Sequence, residues 1–210
     1  WELTDAAQFF RAVMAAAQDT PHQSWADKAS LCLALVAAYS LPQELSEIYP
    51  HHPPDELAAT LAARAYRTIA DTSRPEYTGR FAFFIQLLAQ TYTQLGDAER
   101  ATELYERAIA FAETSHYIQV KAKALVGWGQ LLRSQQEPEP AIAKLTEALD
   151  LLEDLGAQGD LAEAHYQLGL THHKQQNLSL AQTHLMTAVR YFEEIQAPQQ
   201  VAKVQAQLRH

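Results

Sequence analysis

The chain has 210 residues, of which 48% are hydrophobic and 20% charged, enough to bury a core and too apolar for disorder. A formal net charge of −9 excludes the dense basic surface that neutralises phosphates, so a nucleic-acid partner is not expected. One cysteine, Cys32, excludes an intrachain disulfide, and the longest apolar run, Leu31 to Tyr39, is far too short to insert across a bilayer.

Ala and Leu dominate the apolar fraction, which favours helices over strands. In chain order, helices are predicted near 5–18, 24–39, 42–48 and 54–72. Asp5 with Gln8, Ser24 with Asp27, and Ser40 with Gln43 read as helix starts. Cys32 is expected as a small buried hydrophobe, and Trp25 as packed against the first turns of its own helix. The run Pro50-His51-His52-Pro53-Pro54 reads as a rigid connector, because each proline fixes its own φ and turns its neighbour away from helix.

From residue 76 the chain repeats itself. Leu88-Ala89-Gln90-Thr91-Tyr92 is followed by Ala101, Tyr105 and Ala108. Forty residues later come Trp128-Gly129-Gln130-Leu131-Leu132, then Ala141, Leu145 and Ala148; forty more give Leu168-Gly169-Leu170-Thr171-His172, then Ala181, Leu185 and Ala188. A small residue at 89, 129 and 169 lets one helix approach the next, and the small–large–small triplet on the second helix answers it at spacings of four and three. Antiparallel helices are therefore predicted near 76–94, 98–114, 117–135, 139–155, 161–175 and 178–195, with a last helix from about 198.

The boundaries agree. Gly96-Asp97 supplies a turn and an N-cap, Pro138 and Pro140 fall in a first turn, Asn177 is an N-cap, and Gly156 can end a helix. Asp160-Leu161-Ala162-Glu163 reads as a capping box opening the next helix, and Trp128 is expected in the core.

This pattern resembles the tetratricopeptide repeat, in a 40-residue variety longer than the common 34. The first unit carries the resemblance best, through Ala89, Tyr92, Gly96, Ala101, Tyr105 and Ala108; His172, Gln136, Gln176 and Trp128 depart from it. The resemblance implies an all-α fold of antiparallel helix pairs stacked in a right-handed superhelix. Residues 1–75 would be a helical N-terminal cap or a degenerate repeat, 76–196 three repeats (about 76–115, 116–155 and 156–195), and 197–210 a capping helix or the start of a further repeat.

The family's concave groove is lined mainly by first helices. Carried onto this sequence, its lining positions are Phe83, Gln86, Gln90, Thr93 and Gln94, then Lys123, Val126, Gln130, Arg133 and Ser134, then Glu163, Tyr166, Leu170, His173 and Lys174. Amides, a few cations and apolar or aromatic groups suit an extended peptide or a partner helix; the other reading is a solvated inner face whose partner binds elsewhere. A carboxylate-gripping clamp is not assigned, because Gln90 and Gln130 stand where such a clamp has Asn.

The expectation is a protein-interaction scaffold for complex assembly or signalling, with no cofactor. The alternative is a ligand- or peptide-sensing segment of a larger regulator, a signalling ATPase or transcriptional regulator. Trp1 in place of an initiator Met suits a fragment of a longer protein; no signal peptide is visible, and a cytoplasmic location is expected.

Catalysis is not expected, since GxSxG, P-loop and GxGxxG patterns are all missing. His165, His172, His173 and His184 raise the question of zinc, but i,i+7 spacing lacks the converging ligands zinc requires, so hydrogen-bonded or solvated imidazoles are expected and no metal.

Overall fold

The computed structural model describes residues 3–40, 49, 54–70 and 81–209, and all their regular structure is helical. The predicted helix at 42–48, the connector with His51 and His52, and residues 71–80 lie outside the described residues. The helices are α1 (Leu3–Ala17), α2 (Gln23–Tyr39), α3 (Pro54–Ala70), α4 (Phe81–Gln94), α5 (Ala98–Thr114), α6 (Ile118–Ser134), α7 (Pro138–Leu155), α8 (Gln158–Lys174), α9 (Leu178–Glu194) and α10 (Pro198–Gln207). They group into two units, Trp1–Phe111 and Ala112–His210.

In the first unit α2 packs against α1, α3 and α4. Leu33, Leu57, Ile69, Ile85 and Leu88 fill its interior with 3% exposure or less. The predicted knob Tyr105 is fully buried, and its hydroxyl shares a 3.2 Å hydrogen bond with Thr93. Polar contacts tie α5 to α3: the Tyr66 hydroxyl donates to Glu103 at 2.8 Å, and Arg107 reaches the Ile69 carbonyl at 3.4 Å.

In the second unit each helix from α6 to α9 packs on its successor, and α6 also touches α8. The contacts confirm why the sequence places small residues where it does. A Cβ built on Gly129 would stand 2.6 Å from Leu145 Cγ; on Gly169 it would stand 2.7 Å from Leu185 Cγ. No side chain fits there, so the facing leucines bury fully, each worth roughly 2–3 kcal/mol over an exposed position.

The turns repeat more strictly than the sequence. Gly96, His116, Gln136, Gly156, Gln176 and Gln196 all have positive φ, between 56° and 76°. After each, the next residue's N–H returns to a carbonyl five residues back, as in Asn177 to His172 at 2.9 Å and Ala197 to Phe192 at 2.9 Å. This double closure satisfies carbonyls that a helix end leaves orphaned. Glycine reaches such φ freely and glutamine does not, so four of the six turns are held by their bonds rather than by propensity.

Several starts fall where the sequence indicates. Asp97 accepts from the Arg100 N–H at 3.1 Å, Asn177 from the Leu180 N–H at 3.4 Å, and α7 opens on Pro138. Asp160 differs. Helix α8 begins at Gln158, so Asp160 lies inside the first turn, where its carboxylate takes Gln119 Nε2 at 2.7 Å and Lys123 Nζ at 3.2 Å. Likewise α1 starts at Leu3, ahead of Asp5, and α2 at Gln23, ahead of Ser24; His22 precedes α2 without a side-chain cap.

Cys32 is half-buried rather than enclosed, with burial raising its thiol pKa. Trp25 is 59% exposed beneath the Lys28 ammonium of its own first turns. Trp128 is half-buried, with Lys144 Nζ 4.3 Å from its ring centroid. No described helix is long and apolar enough to cross a membrane.

Candidate functional site

Because first helices alternate with second ones, the predicted lining residues divide between α4 in the first unit and α6 and α8 in the second. On α4, Phe83 is 38% exposed and Gln90 half-buried. Thr93 turns inward, donating to the Ala89 carbonyl at 3.0 Å, while Gln94 donates to the Tyr39 hydroxyl at 3.0 Å. Gln86 lies in the interior, 1% exposed, and neither atom of its amide has a partner.

On α6, Val126 is 8% exposed and Lys123 is held by its ion pair with Asp160, whereas Gln130 is half-buried. Arg133 carries the most structured contact on this face. Its Nη1 donates to Gln167 Oε1 at 2.5 Å and to the Gln167 carbonyl at 3.2 Å. Gln167 Nε2 in turn donates to Glu163 at 2.6 Å, and Lys174 Nζ donates to the Arg133 carbonyl at 2.9 Å. Desolvation lowers the Arg133 pKa, against the opposing influence of Tyr166 and Glu163, yet the guanidinium stays charged. Tyr166 is buried along its ring, with Lys203 Nζ 4.6 Å from the ring centroid; burial first, then Glu163, raises its hydroxyl pKa.

The structure thus brings Arg133, Tyr166 and Lys174 together, and joins to them Glu163, Gln167 and Lys203. Lys203 follows Glu163 by the 40-residue period, so the repeat already placed it on this face. Gln167 had no such signal. Leu170 leans on the core of Tyr166, Leu185 and Phe192, and His173 is exposed.

The other histidines form a separate column between α8 and α9. His165 and His184 meet through their Nδ1 atoms, His172 stacks on His184 with ring centroids 5.5 Å apart, and Tyr191 stacks on His165 at 5.9 Å. Burial first, then His184 and Arg190, pushes the His165 pKa down to about 4; burial and His172 lower that of His184. Among the described residues no group of three or more His, Cys, Asp or Glu side chains is arranged to hold a metal ion.

The tetratricopeptide repeat model matches residues 84–114 and 162–194. Both stretches are tetratricopeptide repeats. Each begins on a first helix and ends with the second helix that packs its small residues, so the Tyr166 and Gln167 region belongs to a repeat's inner helix. No curated protein matches the chain.

Several solved structures with such helices share the fold. PlcR of Bacillus thuringiensis, in complex with the peptide PapR7 and DNA, superposes with a TM-score of 0.68 at 11% identity, over 97% of this chain and 72% of that one. Aspartyl phosphate phosphatase F of Bacillus subtilis gives 0.64 at 16% identity over 95% of this chain. The chain spans 53% of that phosphatase. BtubC of P. vanneervenii gives 0.61 at 13% identity, covering 100% of this chain and 90% of that one.

Proposed function

We propose that the chain is a non-catalytic binding module that takes a peptide or helix of a partner protein on the inner face of its first helices. The observation that carries this reading is the cluster on α6 and α8 in which Arg133, held by Gln167, stands with half-buried Gln130 and Leu170 and exposed His173 and Lys174, so that one face offers charge, amide and apolar groups together. An extended peptide presents backbone donors and acceptors along with side-chain anchors, and such a face answers both. The fold shared with a structure of PlcR that holds a peptide supports it. In this reading Lys123, Val126, Gln86 and the inward-turned Thr93 serve the frame and the buried ring of Tyr166 backs the face from beneath, while Gln130, Arg133, Leu170, His173 and Lys174 line it in the second unit and Phe83 and Gln90 are the candidates on α4 in the first.

Gln90→Ala, Gln130→Ala and His173→Ala change side chains that are half-buried or exposed and leave the core untouched. Each is expected to weaken capture of peptides from a displayed random library, with the combined variant at least tenfold weaker. Equal capture by the combined variant and the wild type would remove the inner face from consideration.

A second reading follows from the same likeness. PlcR's structure includes DNA as well as peptide, and this chain corresponds to 72% of PlcR, so the module would serve as the peptide-sensing segment of a larger regulator. Coding sequence on either side of these residues, with or without a second domain, decides between the two.

A further inference from the structure

Helix α10 leaves open a side that the other first helices bury. Ala82, Ala122 and Ala162, forty residues apart on α4, α6 and α8, are each 0% exposed. One turn on, Ile85 and Leu125 are 1% exposed or less, and His165 meets His184 of α9. The same places on α10 are Ala202 and Gln205, and both are exposed.

The open side is apolar along the seam with α9. A hollow of about 470 Å³ beside Phe192, Pro198 and Val201 lies at the start of α10. A second, of about 230 Å³ beside Leu178, Leu185 and Leu208, lies at its end. A repeat array normally closes on a polar outer face, and here the closing face keeps its hydrophobic positions.

The polar groups of this face point to what covers it. They are the amides of Gln182, Gln196, Gln205 and Gln207, with His173 at one end and Glu193 at the other. In a two-fold contact a residue near the axis meets its own copy. A like charge there repels, whereas an amide, donor and acceptor at once, pairs with itself. The solvent sides of α5 and α7 are built otherwise, with Glu99, Glu103 and Glu106, and Glu139, Glu147 and Asp150, all exposed. On a chain of net charge −9 such sides push a second copy away, and the α9–α10 side does not.

A further second helix of the repeat type fits this side less well. It would need the close approach that Ala89, Gly129 and Gly169 allow, and the period puts Arg209 at that place. We propose that α10 and the adjoining side of α9 are the contact through which two copies of this chain pair, about a two-fold axis passing close to Gln205.

Sedimentation equilibrium of the 210-residue chain, from about 1 to 200 μM, reads the association. The mass should rise with concentration from 23.5 kDa towards twice that value. Gln205→Glu and Gln205→Lys should each weaken pairing at least tenfold, because each sets a like charge against its own copy. An equimolar mixture of the two variants should pair again, now Glu against Lys. Recovery on mixing cannot come from misfolded chains, so it reads the contact whatever the melting temperatures of the single variants.

A wild type that stays at 23.5 kDa throughout overturns the proposal and leaves the face to a further segment or to a different protein. Association that survives either charge, or that is lost in both variants and not recovered in the mixture, overturns the two-fold contact at Gln205.

Discussion

His165 and His184 approach Nδ1 to Nδ1 at 3.0 Å across the α8–α9 interface, a separation that holds one proton between the rings and has no room for two. One imidazole donates and the other must keep its lone pair. His172 stacks on the far side of His184, Tyr191 covers His165, and Arg190 adds a positive charge, so nothing described in the column favours a cation.

Acid should therefore loosen this interface. The His165 pKa lies at about 4 in the fold against 6.5 for an ordinary histidine, so the unfolded chain takes up the proton first. The contribution is intact above that ordinary value and is lost as the pH falls towards the folded one. The loss should be on the order of 1–2 kcal/mol, discounted for the solvent that reaches the half-buried rings. Urea midpoints at pH 7 and pH 4.5 test it. The drop should shrink in His165→Gln, and an equal drop in both proteins would exclude the column as its source.

Replacing Gln176 with glycine should stabilise the protein. The residue sits at φ 63°, where a Cβ is strained and glycine is not. Relief of that strain exceeds the extra entropy glycine brings to the unfolded chain, for a net gain of about 0.5–1 kcal/mol. Gly156→Ala, at the same φ, should cost a similar amount. Denaturant titration of the two variants reads both signs.

Gly129→Ala should destabilise despite alanine's better helix propensity. The propensity gain is about 1 kcal/mol, while the new Cβ meets Leu145 Cγ at 2.6 Å and the Ala141 carbonyl oxygen at 3.2 Å. Overpacking of this kind costs roughly 1–3 kcal/mol. Adding Leu145→Ala should recover part of that cost, giving a non-additive double-mutant cycle; additive effects would mean the two residues do not touch.

Gln86→Leu should raise the melting temperature. An interior amide with both atoms unpartnered pays for its lost hydration without return, and a leucine of similar volume removes that penalty of about 1–3 kcal/mol. A lowered melting temperature would show that the amide is satisfied in solution.

The parts of the fold legible in the sequence were those set by contact size. Ala89, Gly129 and Gly169 are small because a second helix lies against them, and size repeats visibly along a chain. The left-handed turns were legible only at Gly96 and Gly156; at His116, Gln136, Gln176 and Gln196 the conformation comes from the returning hydrogen bonds, which leave no residue signature. Asp160 looked like a cap because its neighbours spell one, but two partners on α6 claimed its carboxylate first.

The face was legible in outline and not in its couplings. The family's lining positions named Arg133, Tyr166 and Lys174, yet the side chain that orients Arg133, Gln167, lies one residue beyond Tyr166. Gln86 illustrates the opposite case: it is equivalent to Val126 and Tyr166 by period, and all three sit in the interior, so the period predicts the shared position but not its access to solvent.

The uniform turn geometry also bears on how such a chain can change length. Cutting out residues 137–176 would join Gln136 to Asn177, placing a left-handed residue directly before an N-cap that already works in the native chain. Excision or duplication in steps of forty thus leaves every junction with stereochemistry the protein already tolerates, and a recombination event can shorten or extend the array without first inventing a new loop.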